Sequence, residues 1–340
     1  MKNKIAIASA FVAASSFSMG EIVVNDFLSF EGFVDSSYSH TDSDVDGNEN
    51  SFAVDQVEIS WLFDFDAVTA QVDFDSEDSN GSNGDDVYDD RDTGSGLGEV
   101  EVEQAFVNYA LANGDVATAG RYASMLGFEA FEPTGLYQYS TAYVASGLPG
   151  YAQGVKYTRE SDASFFGLSI QDEAFDNGRD NLSSSSFAIE AAYAQDLGNG
   201  LTVFLGGAYE DADAGDSYIV NAYATYETGA WLFAAEVNFG NSESGAFNDL
   251  GVTGADTDVM SGLVMANYAY SDDSSVTARL SYEEVEGTTG EGDVTKYTLA
   301  HNKALADNLA LITEVSFGDA DIAGADEEVT ELAVELLFTF

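Results

Sequence analysis

Val329-Thr-Glu-Leu-Ala-Val-Glu-Leu-Leu-Phe-Thr-Phe340 decides the reading of this chain. Leu332, Val334, Leu336, Phe338 and Phe340 fall on one side of a period-2 pattern, and Glu331, Ala333, Glu335, Leu337 and Thr339 on the other. The closing strand of a soluble sheet usually frays into a polar tail, whereas this one ends on an aromatic residue. One apolar face beside a largely polar one suits a barrel wall with lipid outside and water inside.

The pattern repeats upstream. Leu28, Phe30, Gly32 and Val34 alternate with Ser29, Glu31, Phe33 and Asp35, and Val57, Ile59, Trp61, Phe63 and Phe65 with Glu58, Ser60, Leu62 and Asp64. About sixteen such segments of roughly ten residues can be counted, an even number as bacterial barrels require. Short connections at 64–67, 112–115, 159–163, 196–200, 227–230, 271–275 and 304–308 interleave with long ones at 40–50, 75–98, 123–150, 172–183, 211–216, 241–256, 284–293 and 318–327. A barrel with short periplasmic turns and longer external loops demands that interleaving. The expected fold is therefore all-β, a transmembrane antiparallel β-barrel of about sixteen strands over residues 21–340. Residues 1–20 read as a secretory signal peptide, with Lys2 and Lys4 before the apolar run from Ile5 to Ala14 and small residues at Ser18-Met19-Gly20. No later segment approaches the roughly 18 apolar residues of a spanning helix.

Ten Lys and Arg against 61 Asp and Glu leave a net charge of −51, which excludes nucleic acid as a partner. Apolar residues at 45% and aromatics at 13% are too abundant for a disordered chain, so the acid decorates an ordered fold. Without cysteine there are neither disulfides nor thiolate metal sites. Two prolines against 33 glycines fit long ladders better than a loop-rich enzyme.

Turning the apolar faces to lipid points Glu31, Asp35, Glu58, Asp73, Glu99, Glu101, Glu103, Glu190, Glu236, Glu314, Glu331 and Glu335 at the lumen, against Arg121, Lys156, Arg279 and Lys296. One strand breaks the parity. Glu99, Glu101 and Glu103 share a face with apolar Ala105, Val107, Tyr109 and Leu111, so either a bulge near Gln104 shifts the register or the lower half is apolar on both sides.

Residues 123–150 form the longest connection and hold both prolines and many aromatics, where the other loops are rich in Asp, Ser and Gly. Such a loop avoids free solvent, and its natural place is inside the barrel. Gly120-Arg121, Gly127-Phe128-Glu129, Glu132-Pro133, Tyr137 and Tyr139 resemble the OmpL-like β-barrel porin family. The end of the chain, Leu336, Phe338 and Phe340 above all, resembles the C-terminal signature strand by which bacterial outer-membrane proteins are recognised for insertion. These resemblances imply the bacterial outer membrane, with its lipid and its barrel-assembly machinery as partners. They also imply a passive channel for small hydrophilic solutes and cations, and allow a homotrimer. Arg121, Glu129 and Glu132 are then expected at the constriction. Porin eyelets generally set clustered basic residues against acidic ones, and here Arg121 stands nearly alone.

Asp42, Asp44 and Asp46, with Gly47, match the first half of a calcium loop, but Ala53 sits where the bidentate Glu belongs. A solvated acidic loop is the preferred reading, with no cofactor beyond loosely gathered calcium or magnesium. The two histidines, His40 and His301, belong near opposite ends of the barrel, and no nucleophile, phosphate-loop or metalloprotease motif accompanies them, which argues against an enzyme. Three readings remain: a cation-preferring diffusion channel, a structural or adhesive surface barrel with a plugged lumen and acidic loops, and a secreted soluble β-protein, which would partition into the aqueous phase without detergent.

Overall fold

The computed structural model describes residues 20–45, 47–77, 100–143, 147–175, 187–247, 250–322 and 324–340. Residues 1–19 of the expected signal segment, Asp46 and Glu99 lie outside them. In chain order the strands are β1 (Ile22–Asn25), β2 (Leu28–Ser43), β3 (Gly47–Phe65), β4 (Val68–Glu77), β5 (Glu101–Ala110), β6 (Val116–Ala123), β7 (Tyr151–Glu160), β8 (Ser164–Gln171) and β9 (Phe187–Asp196). They continue as β10 (Leu201–Ala212), β11 (Gly215–Thr228), β12 (Trp231–Ser242), β13 (Thr257–Ser271), β14 (Ser274–Gly287), β15 (Gly290–Ala306), β16 (Leu309–Ile322) and β17 (Ala325–Thr339). From β2 to β17 each strand pairs antiparallel with the next, and β17 pairs back onto β2, closing sixteen strands into a barrel. Closure leaves no open edge, which lipid would not tolerate.

The C-terminus makes the seam. Gly32 and Phe340 exchange backbone hydrogen bonds of 2.8 and 2.9 Å. The Phe340 ring lies over Gly32, where a Cβ would come within 2.9 Å of it and 2.3 Å of the Glu58 carbonyl oxygen, so the position requires glycine. Below that point β1 takes over the edge of β2, with Val23 opposite Ser29. Aromatic rings cluster near the short-turn end: Phe30 with Trp61, Phe338 with Phe340, and Trp231 stacked on Tyr268 at 4.5 Å. They form part of the girdle expected at a membrane interface.

Several connections expected to be long loops are strands instead. Strands β2 and β3 run 16 and 19 residues and turn tightly between Ser43 and Gly47, and β10–β11, β14–β15 and β16–β17 close in similarly short turns. About ten residues span the membrane, so these hairpins stand well clear of it on the external side. Their Asp, Ser and Thr content reads as loop, yet in water a strand pair needs no apolar face as long as the ladder continues from a closed barrel below.

Two bulges reset the parity. Asp73 faces Gln104 while Phe74 faces Val102, which makes Glu103 the extra residue of β5. Asp35 faces Gln56 while Ser37 faces Ala53, adding one residue to β3, and both Asp55 and Gln56 are buried on its inner side. The alternative of a bulge near Gln104 is thus the one the chain adopts.

Candidate functional site

The connection from β6 to β7 leaves the wall at Ser124, whose N–H donates to the Gly150 carbonyl at 2.7 Å, and crosses the lumen. Its backbone N–H groups have no ladder to join, and wall carboxylates accept them. Glu190 on β9 takes the Met125 N–H and, at 3.1 Å, the Ser124 hydroxyl. Glu236 on β12 takes the Phe128 N–H at 2.7 Å, the Asn221 amide at 2.7 Å and the Tyr143 hydroxyl at 3.1 Å. Glu314 on β16 takes the Tyr139 and Ser140 N–H groups and the Ser140 hydroxyl. Buried backbone donors must be satisfied, and a charged acceptor does so with roughly twice the strength of a neutral one. These carboxylates thus fasten the loop.

The main fastening is an ion pair. Arg279 on β14, with its side chain fully buried, donates to Glu129 Oε1 at 2.6 Å, to the Ser140 carbonyl at 2.9 Å and to the Thr141 carbonyl at 2.8 Å. Glu129 also receives the Gln138 amide and the Ala142 N–H, each at 2.7 Å. Thr277 and Asn302 donate to the Tyr137 carbonyl, and Ser281 to that of Ala142. Apolar packing completes the seat: Leu126 and Phe128 bury against Phe204 and Tyr223, whose rings stack at 4.4 Å.

From Glu129 the chain swings to the opposite wall. Glu132 caps a short 3-10 turn, Pro133–Gly135, and receives the Gln56 amide and the Tyr151 hydroxyl, each at 3.3 Å. Carboxylate oxygens of Glu58, Glu103 and Glu132 lie within 4.8 Å of one another. Burial, with the charges of Glu58 and Glu103 beside it, holds the Glu132 carboxyl well above the usual range. Glu58 accepts the Ser60 hydroxyl at 2.6 Å, and Glu103 reaches this group from the bulge of β5.

The three residues expected at the constriction do not form one cluster. Glu129 and Glu132 both sit on the crossing loop, but the base facing Glu129 is Arg279. Arg121 pairs with Ala105 and Gln153, while its strand neighbours Gly120 and Tyr122 pair with the inward Phe106 and Ala152. Its backbone therefore has outward parity, and its Nε donates to the Glu103 carbonyl at 2.8 Å with the guanidinium over the Tyr151 ring. Among the other expected lumen residues, Asp73 is buried and receives the Gln71 and Gln104 amides, and Lys296 is buried. Glu101 is exposed near the top of β5. Lys156 faces inward with its ammonium 4.2 Å above the Tyr122 ring. Asp42 and Asp44 are both exposed on the β2–β3 hairpin, where Asp44 accepts the Glu328 N–H of β17, and the half calcium motif serves a tight turn between strands.

Between the loop and the wall lies a cavity of about 750 Å³. Its charged lining is Glu31, Glu58, Glu129, Glu132 and Glu160 against Lys156, and Tyr122, Phe131 and Tyr151 line it among others. The wall of this cavity is therefore predominantly acidic.

A sequence family described as "Putative beta-barrel porin-2, OmpL-like" matches residues 28–340. The chain belongs to this family. It is an outer-membrane protein with a porin-like barrel. Among solved structures it is similar to the outer membrane channel DcaP of Acinetobacter baumannii, at TM-score 0.66 and 11% identity over 92% of this chain and 97% of that one. It is similar to the anion-selective porin from Comamonas acidovorans, at 0.64 and 16% over 92% and 99%. The trimer form of in-vitro folded OmpT of Vibrio cholerae aligns at 0.59 and 13% over 93% and 100%. These likenesses concern the fold. A search of curated proteins found no significant relative.

Proposed function

We propose that this porin-family barrel is a non-enzymatic channel for passive diffusion of ions and small hydrophilic solutes, narrowed by residues 124–150 and preferring cations. The observation that carries the reading is the acidic lining of this cavity: leaving aside Glu129, which Arg279 neutralises, and Glu132, whose carboxyl is held well above the usual range, Glu31, Glu58 and Glu160 still stand against Lys156. Fixed charge lining a water-filled passage concentrates counter-ions and excludes co-ions over about a Debye length, roughly 8–10 Å at ordinary ionic strength. The preference is then marked in dilute salt and fades toward about 1 M, where that length falls to roughly 3 Å. Membership of a porin family and the trimeric form of one structural neighbour support a homotrimer in the membrane.

A second reading, a surface barrel plugged by the loop, is favoured by one feature: the loop is held from β9, β12, β14 and β16 at once. Zero-current potential in a planar bilayer under a potassium chloride gradient separates the two. A potassium-selective potential is expected. A chloride-selective one refutes the charge argument, and the absence of conductance from folded protein favours the plug.

A further inference from the structure

We propose that the cavity between the crossing loop and the wall is a binding site for a zwitterionic apolar solute, an amino acid or a short peptide, and that Lys156 takes its carboxylate. The inference deepens the channel reading and rests on it for the passage of that solute.

The Lys156 ammonium is a donor group without an acceptor. Lys156 stands on β7 and lines the cavity. An ammonium carries three N–H donors. Among the described residues that of Lys156 forms no ion pair and donates no hydrogen bond, and its contact is the face of the Tyr122 ring at 4.2 Å. Acidic residues outnumber basic ones 61 to 10 in this chain, so a cation left unpaired inside the barrel is unexpected. The carboxylate whose charge acts on it, Glu190, has its oxygens engaged by the Met125 N–H, the Ser124 hydroxyl and the Gln171 amide. Those bonds hold Glu190 to the loop, and the ammonium is left for an acceptor that enters the cavity.

The surroundings select the rest of the ligand. Tyr122, Leu126, Phe165, Phe204 and Tyr223 line the same cavity. Its volume of about 750 Å³ falls within the roughly 300–1,000 Å³ of small-molecule sites, which are mostly apolar with a few polar groups that fix orientation. A plain organic anion would meet the charge of Glu31, Glu58 and Glu160 and be excluded as a co-ion. A solute that carries its own ammonium would not. Glu160 shares the strand parity of Lys156, four residues farther along β7, and Glu58 stands on β3, four strands round the wall. Carboxylates thus lie in two directions from Lys156 to receive an ammonium, while apolar side chains rest on the aromatic rings.

The probe is leucyl-leucine, compared with leucyl-leucinamide, which lacks the carboxylate, and N-acetyl-leucyl-leucine, which lacks the ammonium. Ligand-observed saturation-transfer NMR on the detergent-folded barrel measures the dissociation constants, and heat-modifiable mobility reports whether each variant is folded. Native protein and K303M, altered at the surface ion pair with Asp273, should bind leucyl-leucine at least tenfold more tightly than either analogue. K156M, whose unbranched side chain can keep the packing on Tyr122, should bind it no more than twofold more tightly than the amide. A native preference below tenfold over either analogue overturns the proposal, as does a preference above twofold over the amide in folded K156M. If K156M does not fold, the native comparison decides by itself. Bilayer conductance judges the channel reading separately: a conducting barrel that ignores the dipeptide fails only the inference, and a non-conducting barrel that binds it fails only the channel.

Discussion

Replacing Arg279 by methionine should release the crossing loop. The change removes the fully buried cation of an ion pair whose Glu129 side chain is 12% exposed, leaves Glu129 facing its 2.6 Å contact without a cation, and deprives the Ser140 and Thr141 carbonyls of their donor. Breaking a buried pair from one side costs about 3–5 kcal/mol, chiefly because a desolvated charge is stranded. At about 1.4 kcal/mol per factor of ten, the docked state of the loop weakens by roughly a hundredfold to a few thousandfold. The double variant Arg279→Met/Glu129→Gln strands no charge and should recover most of that loss. Proteolysis of the folded barrel reports loop release, and single-channel conductance reports its consequence, with a barrel carrying a short Gly-Ser hairpin in place of residues 124–150 marking the upper limit. Arg279→Met should be cut within the loop and conduct more than native protein, and the double variant should lie near native. A single variant as protease-resistant as native, with unchanged conductance, would refute the claim that this pair holds the loop.

Deleting Leu336 to Phe340 removes the strand end that seals the seam against Gly32, together with the Phe340 ring that covers it. The product should fail to reach the heat-modifiable folded form, and a truncated chain with native mobility on a gel would count against the seam. At the external hairpins the charge of Glu284, followed by burial, raises the Glu286 carboxyl above 4.5. A raised folded-state value means that this pair favours the folded form below the unfolded value and loses that contribution as pH climbs through the folded one. Titration by carboxyl carbon NMR should place Glu286 above its free value in native protein and nearer to it in Glu284→Gln, and an unmoved value would show that Glu284 is not the cause.

The wall of this barrel was legible residue by residue because side-chain parity is a local, period-2 property. Leu332 to Phe340 and Glu331 to Thr339 declare their faces with no knowledge of any partner, and the broken parity of β5 left two readings, of which pairing with β4 selects the bulge near Gln104. Residues 123–150 announced an inward place by the same kind of local chemistry, prolines and aromatics where the other loops carry acid. Which wall groups would meet that loop was not legible. Glu129 lies 150 positions before Arg279, and their contact exists only because closing sixteen strands brings β14 opposite the path of the loop. Arg121, adjacent in sequence and of the right charge, was the natural candidate, but it falls on the outward parity of β6. The carboxylates of Glu190, Glu236 and Glu314 read as bare lumen charge, and tertiary structure makes them acceptors for backbone N–H groups of the loop. Facing is decided by a residue's immediate neighbours, whereas partnership across a lumen depends on the curvature of the whole closed sheet.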